Sequence, residues 1–160
     1  MTYIRLANFV EVYRIGSAGA ENTQYLYHNA EPGAAISYDG KQYSYLSFIY
    51  QGAAKNRSGD NLEAGLVLSC NELSQGISRD IVVARDHVRV ASVAMSPTGN
   101  TVINTLTVES WLAATMTYDA STVEIILSSG IDAVGANAPT RVLTKEMVGH
   151  LPTTAQVRSG

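Results

Sequence analysis

Of 160 residues only 16% are charged, against about 25% in an ordinary globular protein, and the formal net charge is −3 with an isoelectric point near 5.5. That length fits one domain with a sizeable core, and that balance excludes a basic field for nucleic acid. So thin a charged surface favours association, which points to a protein that hides surface in an assembly.

The start, "MTYIRLANFVEVYRIG", lacks the basic residues, apolar run and small-residue cleavage site of a signal peptide. No stretch approaches the ~18 apolar residues that cross a bilayer, so the expectation is a soluble chain made in a reducing cytoplasm. "FVEVYRI" (9–15) is rich in β-branched and aromatic residues and reads as a strand ending at Gly16. After the loop "GSAGAENT" comes a short strand, "QYLYHN" (24–29), and then punctuation at Pro32 and Gly33.

"ISYDGKQY" is a hairpin, because Asp39-Gly40 has the composition of a type I′ turn. That turn pairs Tyr38 with Lys41 and Ile36 with Tyr43 on one face, with Ser37 and Gln42 on the other. Beyond Tyr45 the apolar residues change phase to Leu46, Phe48 and Tyr50, which predicts a bulge or a bend of the kind found at a barrel corner. "QGAAKNRSGDN" (51–61) has no period and reads as a loop. Its Lys55 and Arg57 are followed by Asp60, so a solvated loop outweighs an anion site.

"LEAGLVLSC" (62–70) is the next strand and carries Cys70, the only cysteine. A single cysteine excludes an internal disulfide and a cysteine-based zinc or iron–sulfur site, and reads as a buried thiol. "NELSQGIS" makes one or two helical turns capped by Asn71 and weakened by Gly76. "IVVARDHVRVASVAM" (81–95) holds one or two strands broken around Asp86, and "SPTGN" (96–100) is a turn.

"TVINTLTVES" puts Val102, Leu106 and Val108 on one face, and "WLAATMTY" (111–118) runs to a turn at "DAS". In "VEIILSS" (123–129), Val123, Ile125 and Leu127 share a face. Strands recurring every eight to twelve residues or so, with turns between them, define an all-β sandwich or barrel of antiparallel strands with one or two helical turns. From "SSGIDAVGANAP" onward Gly and Pro fall every few residues. The expectation is a domain over residues 1–143 and an extended arm over 144–160 that wraps the domain or reaches a neighbour.

Catalytic motifs are missing. His28, His87 and His150 have no metal-ligand spacing with a third donor, and Asp86-His87, as strand neighbours, point to opposite faces. Glu109, Asp119 and Glu124 read as surface carboxylates. Trp111 reads as core, with a sugar-stacking platform as the alternative. No cofactor or metal is expected, and no enzymatic activity.

Four of nine tyrosines, Tyr38, Tyr43, Tyr45 and Tyr50, crowd around the hairpin. Either this face packs on its own domain or it is an interface, where tyrosine gives large area at small entropic cost. Tyr38 sits beside the turn tip, where core is hard to build, and this favours the interface.

The succession "FVEVYRIG", "YLYHNAEPGAAISYDGKQYSYLSFIYQG" and "LEAGLVLSCNEL" resembles the opening of tail-tip and baseplate hub proteins of long-tailed bacteriophages. The minor tail protein L group and the hub proteins of gene transfer agents belong to that circle. The matching positions are Ile36, Tyr38, Asp39, Gly40 and Tyr43, then Leu66, Leu68 and Asn71, and, toward the end, Ser129, Asp132, Pro139 and Arg141. The likeness covers residues from about 9 to 145, and it is the order of the motifs that carries it.

The resemblance implies a non-enzymatic virion protein, a β-barrel ring subunit joining the tail tube to the spike or receptor-binding parts. Its partners would be other tail proteins and copies of itself. It would be assembled in the bacterial cytoplasm, bind neither nucleic acid nor membrane, and end in the virion tail. Docking is then expected at Tyr38, Tyr43, Tyr45 and Tyr50, and on the arm at Lys145, Met147, His150 and Leu151. Some relatives add a C-terminal cysteine cluster for iron–sulfur, which this chain lacks, so no cluster is implied. The competing expectation is a carbohydrate-binding β-sandwich in which Trp111 and tyrosines form the sugar platform.

Overall fold

The computed structural model describes residues 3–55 and 62–129. In chain order the elements are β1 (Arg5–Ile15), β2 (Glu21–His28), β3 (Ile36–Tyr38), β4 (Lys41–Tyr45), β5 (Phe48–Lys55) and β6 (Leu62–Ser69). Helix α1 (Glu72–Ala84) follows, then β7 (His87–Met95), β8 (Val102–Tyr118) and β9 (Thr122–Ser128). The strands form one nine-stranded sheet in the order β3-β4-β2-β1-β7-β8-β9-β6-β5. The fold is thus mostly β and barrel-like or sandwich-like as expected, although the sheet does not close. The expected arm, with Lys145, Met147, His150 and Leu151, lies outside the described residues.

The sheet is buried on both faces of β1. Val10 and Val12 join Phe48, Leu66, Leu68, Trp111, Ile125 and Leu127 in one cluster, while Ala7 and Phe9 join Ile36, Tyr43, Val93 and Met95 in another. Strand alternation sends neighbours to opposite sides, so a strand covered on both sides reads as an unbroken buried run. Phe9 to Tyr13 is such a run. Helix α1 covers the first cluster with Ile77 and Ile81 and lies against β8 and β9. The hairpin β3–β4 covers the second.

That hairpin has the expected register, Ile36 opposite Tyr43 and Tyr38 opposite Lys41. Asp39 and Gly40 take φ of 50° and 73°, the pair of positive values that a type I′ turn demands. Reversal at the turn also makes β4 parallel to β2, the one parallel pair among the described strands, which were expected to be antiparallel.

The phase change after Tyr45 marks more than a bend. β4 pairs with β2 near one end of the sheet, whereas β5 pairs with β6 at the other, so Leu46 and Ser47 carry the chain between them. The sheet must curl for so short a link to suffice. Two bonds hold the passage: Leu46 N–H donates to the His28 carbonyl (2.9 Å) and Asn29 Nδ2 to the Phe48 carbonyl (3.3 Å). Asn29 also accepts from Asn8 N–H at 2.8 Å, tying the link to β1.

Three expectations are corrected. Gln51–Lys55 is strand, not loop, with a pairing irregularity between Gln51 and Ala54. The helix runs 13 residues, through the "IVVA" assigned above to a strand. Ser74, Ile77, Ser78 and Ile81 are its buried positions, a helical face, and Asn71 and Ser74 form a reciprocal capping box. Gly76 is tolerated inside it. The break at Asp86 is where expected, but it ends a helix: Asp86 N–H bonds Ile81 O and Arg85 N–H bonds Val82 O, a Schellman pair with Arg85 at φ 52°.

The third correction is β8, a single strand of 17 residues where two were expected. Val93 pairs with Thr105 and Ser92 with Thr107, which leaves Leu106 as an extra residue in a bulge. Val102 and Val108 still share a face, opposite Met95 and Ala91, but the bulge takes Leu106 out of the alternation, and Leu106 and Val108 stand at least half exposed.

Candidate functional site

The aromatic hairpin folds down onto β1. Tyr43 is 3% exposed and meets Phe9 edge-on at 5.0 Å between ring centroids, and Tyr38 lies 4.9 Å from the same ring. The Tyr38 hydroxyl shares a hydrogen bond with Thr105 Oγ1 on β8 (2.9 Å). Tyr45 is half-buried, edge-on to His28 at 5.9 Å. The interface expectation is therefore corrected for Tyr43, which belongs to its own core, and the expectation that Tyr38 stands clear of the core is corrected too. The physical reason is that the β1–β7 face is apolar, and the hairpin is what covers it.

Tyr50 does not join this group. From β5 it reaches inside the curl to β8, where its hydroxyl donates to the Glu109 carboxylate and accepts from Trp111 Nε1 (2.9 Å). Burial, reinforced by Glu109, pushes the Tyr50 phenol pKa up, which keeps it a donor. Trp111 is 5% exposed, core as expected, and offers no face to a sugar. Tyr50→Phe should lower stability by about 1–3 kcal/mol, because the buried indole N–H would lose its acceptor. Urea denaturation checks this, and an unchanged midpoint would remove the bond from the energetics.

Beneath the hairpin lies a feature the sequence reading passed over. Glu11 shares a face with Phe9 and Tyr13, is 4% exposed, and accepts from Lys41 Nζ, Arg89 (2.8 Å) and the Thr23 hydroxyl (3.2 Å). Arg89 also binds Glu21 (3.2 Å) and sits 4.5 Å over the Tyr13 ring. Lys41, two residues past the turn's Asp39, thus fastens the hairpin to β1 by charge as Tyr43 does by packing. The signal was the polar residue in an apolar alternation.

Burial pushes the Glu11 carboxyl pKa up, but the Lys41 and Arg89 cations outweigh it and hold it below the usual glutamate value. A carboxylate depressed in the folded state stabilises above its unfolded pKa and loses that contribution as pH falls through the folded one. Glu11→Gln should therefore be less stable near neutrality and show a shallower loss of stability below the ordinary glutamate range. Parallel pH–stability curves for the two proteins would remove Glu11 from the acid response.

Other candidates are occupied structurally. Asp86 has a fully buried side chain whose oxygens accept from Arg14 at 2.6 and 2.9 Å, while His87 stacks on Tyr13 at 5.1 Å. His28 is fully buried, with Nε2 donating to Ala34 O (2.7 Å) and Nδ1 accepting from Ala30 N–H (3.1 Å). Asp119 accepts backbone N–H bonds from Ser121 and Thr122, which hold its carboxyl pKa low, and Glu124 faces away from the core on β9. Cys70 is half-buried rather than buried and takes a bond from Gln75 Nε2.

Two cavities are small against the several hundred Å³ of a ligand site. One of about 20 Å³ is apolar and inside the curl, and one of about 60 Å³ is lined by Phe9, Glu11, Tyr38 and Arg89. Among the described residues no three His, Cys, Asp or Glu side chains converge as a metal site requires.

The exposed apolar residues have a pattern of their own. Tyr3, Ile4, Leu6, Ile103, Leu106 and Val108 are each at least half exposed. They belong to the residues leading into β1, its start, and the first half of β8, and β1 and β8 flank the end of β7: Leu6 aligns with Ala94, and Ala94 with Asn104. Leu6 shares its face with Asn104 and Val108 its face with Phe9, so these side chains stand on both faces of a three-stranded rim, the strongest candidate for contact among the described residues. No protein-family model matches the chain, and no curated protein matches it.

Proposed function

We propose that the chain is a structural subunit of a bacteriophage tail, part of the tail-tip or baseplate hub ring between tube and spike. The observation that carries the reading is the exposed apolar rim of β1 and β8, held on paired strands, where a monomer would present charge. The resemblance of the ordered motifs to those of hub proteins supports the same role, and so does the low charged fraction. In this role the chain acts by shape: it joins copies of itself and other tail proteins, catalyses nothing and carries no cofactor. The hairpin's part is then mainly internal, with half-buried Tyr45 and Tyr38 as its outward contribution.

Purified tailed particles from cells that encode the chain provide the test. Immunogold label at the tail end remote from the capsid is expected. Particles free of the chain by mass spectrometry would overturn the proposal.

A further inference from the structure

Two long backbone edges have no strand partner among the described residues, although Asn29 Nδ2 reaches the first carbonyl of β5, that of Phe48. β5 ends the sheet order and pairs on one side only, with β6. β8 is flanked by β7 along Val102–Leu112 but by β9 only from Leu112 onward, so Val102–Trp111 has no strand on the β9 side. The remaining edge, β3, is three residues long and fastened to Thr105 through Tyr38.

Folded proteins blunt such edges with lysine, proline, brevity or a covering element. The open part of β8, "VINTLTVESW", holds one charge, Glu109, which already binds Tyr50. β5, "FIYQGAAK", holds none before Lys55, its last residue. Both edges also present apolar side chains to solvent, Ile103, Leu106 and Val108 on one and Ile49 on the other. The β8 bulges twist their strand but cover nothing.

We propose that the open edge of β8 receives the β5 edge of a second copy of this chain. Each junction would satisfy alternate backbone N–H and C=O groups on both strands and cover the four apolar side chains just named. The two edges differ and lie on one molecule, so the contact is heterologous: it repeats head to tail and closes into a ring where the rotation permits. Pairing β8 with itself would stop at two copies and leave β5 open. The inference rests on the ring-subunit reading and names its partner as another copy.

The test uses the full chain with Cys70→Ser, Gln51→Cys on β5 and Thr107→Cys on β8, both sites exposed. A short bismaleimide applied to the concentrated protein should give a ladder of dimers, trimers and higher species. Mixing the two single-cysteine variants should give dimers. Leu106→Lys with Val108→Lys should reduce the ladder at least tenfold with an unchanged far-ultraviolet circular dichroism spectrum. Ile49→Lys, at a residue 64% exposed, does the same from the opposite edge should the first pair disturb folding.

Cross-links confined within one chain, dimers from Thr107→Cys alone, or a ladder indifferent to lysine would each overturn the proposal. A chain found in tail particles that never cross-links overturns the edge pairing and leaves the tail reading standing. A ladder from a chain absent from particles does the reverse.

Discussion

Trp111→Ala is expected to lower folding stability by about 3–5 kcal/mol, the usual range for deleting a large buried aromatic. The indole lies in the cluster that gathers β1, β5, β6, β7, β8, β9 and α1, so the cavity would open where most of the fold meets. Truncation also removes the donor to Tyr50, whose hydroxyl then keeps only the Glu109 partner. Trp111→Phe retains most of the packing and loses the bond, so it should fall near Tyr50→Phe. Chemical denaturation ranks the three. A Trp111→Ala cost under 1 kcal/mol would mean that the ring is not the core residue its burial indicates. The same variant bears on the carbohydrate expectation, since it should fail to fold well rather than fold and lose sugar binding.

Much of the architecture was legible because it is local. In β9 the alternation of Val123, Ile125 and Leu127 with Glu124 and Ile126 puts the first three inside, as read. Asp39-Gly40 set both the turn type and the register of its hairpin, because positive φ at two successive positions narrows the options to one.

The misreadings share a cause, which is that tertiary context overrode a local cue. Ile81-Val82-Val83 favours strand by propensity, yet Ile81 is needed on the helical face that seals the core, and Arg85 supplies a left-handed cap where glycine would have announced the end. Four tyrosines crowded around one turn told of packed faces but not of which body lay against them, and Tyr50 stands on β5, apart from the hairpin. Only the curl of the sheet shows that Phe9 awaits Tyr43 and that Tyr50 points inward. Edge exposure is more remote still, since it depends on which strands fail to extend alongside β8.

Phe9→Ala is expected to cost about 3–5 kcal/mol as well, but with a different signature. Phe9 is 1% exposed and touches two of the three hairpin tyrosines, so its loss removes the surface on which Tyr38 and Tyr43 rest. The hairpin would then hang on the Glu11–Lys41 contact, the Tyr38–Thr105 hydrogen bond and the short pairing of β4 with β2. Amide exchange across Ile36–Tyr45 should accelerate well beyond the global effect, while that of β6 and β9 should change only by the global loss. Coupling gives a second reading of the same packing. Phe9→Ala and Tyr43→Leu share a contact and should be non-additive, whereas Phe9→Ala and Trp111→Ala lie in separate clusters and should add within about 0.5 kcal/mol. Strong coupling between Phe9 and Trp111 would show the two faces of β1 to be one core, and the hairpin would no longer count as a separately seated cover.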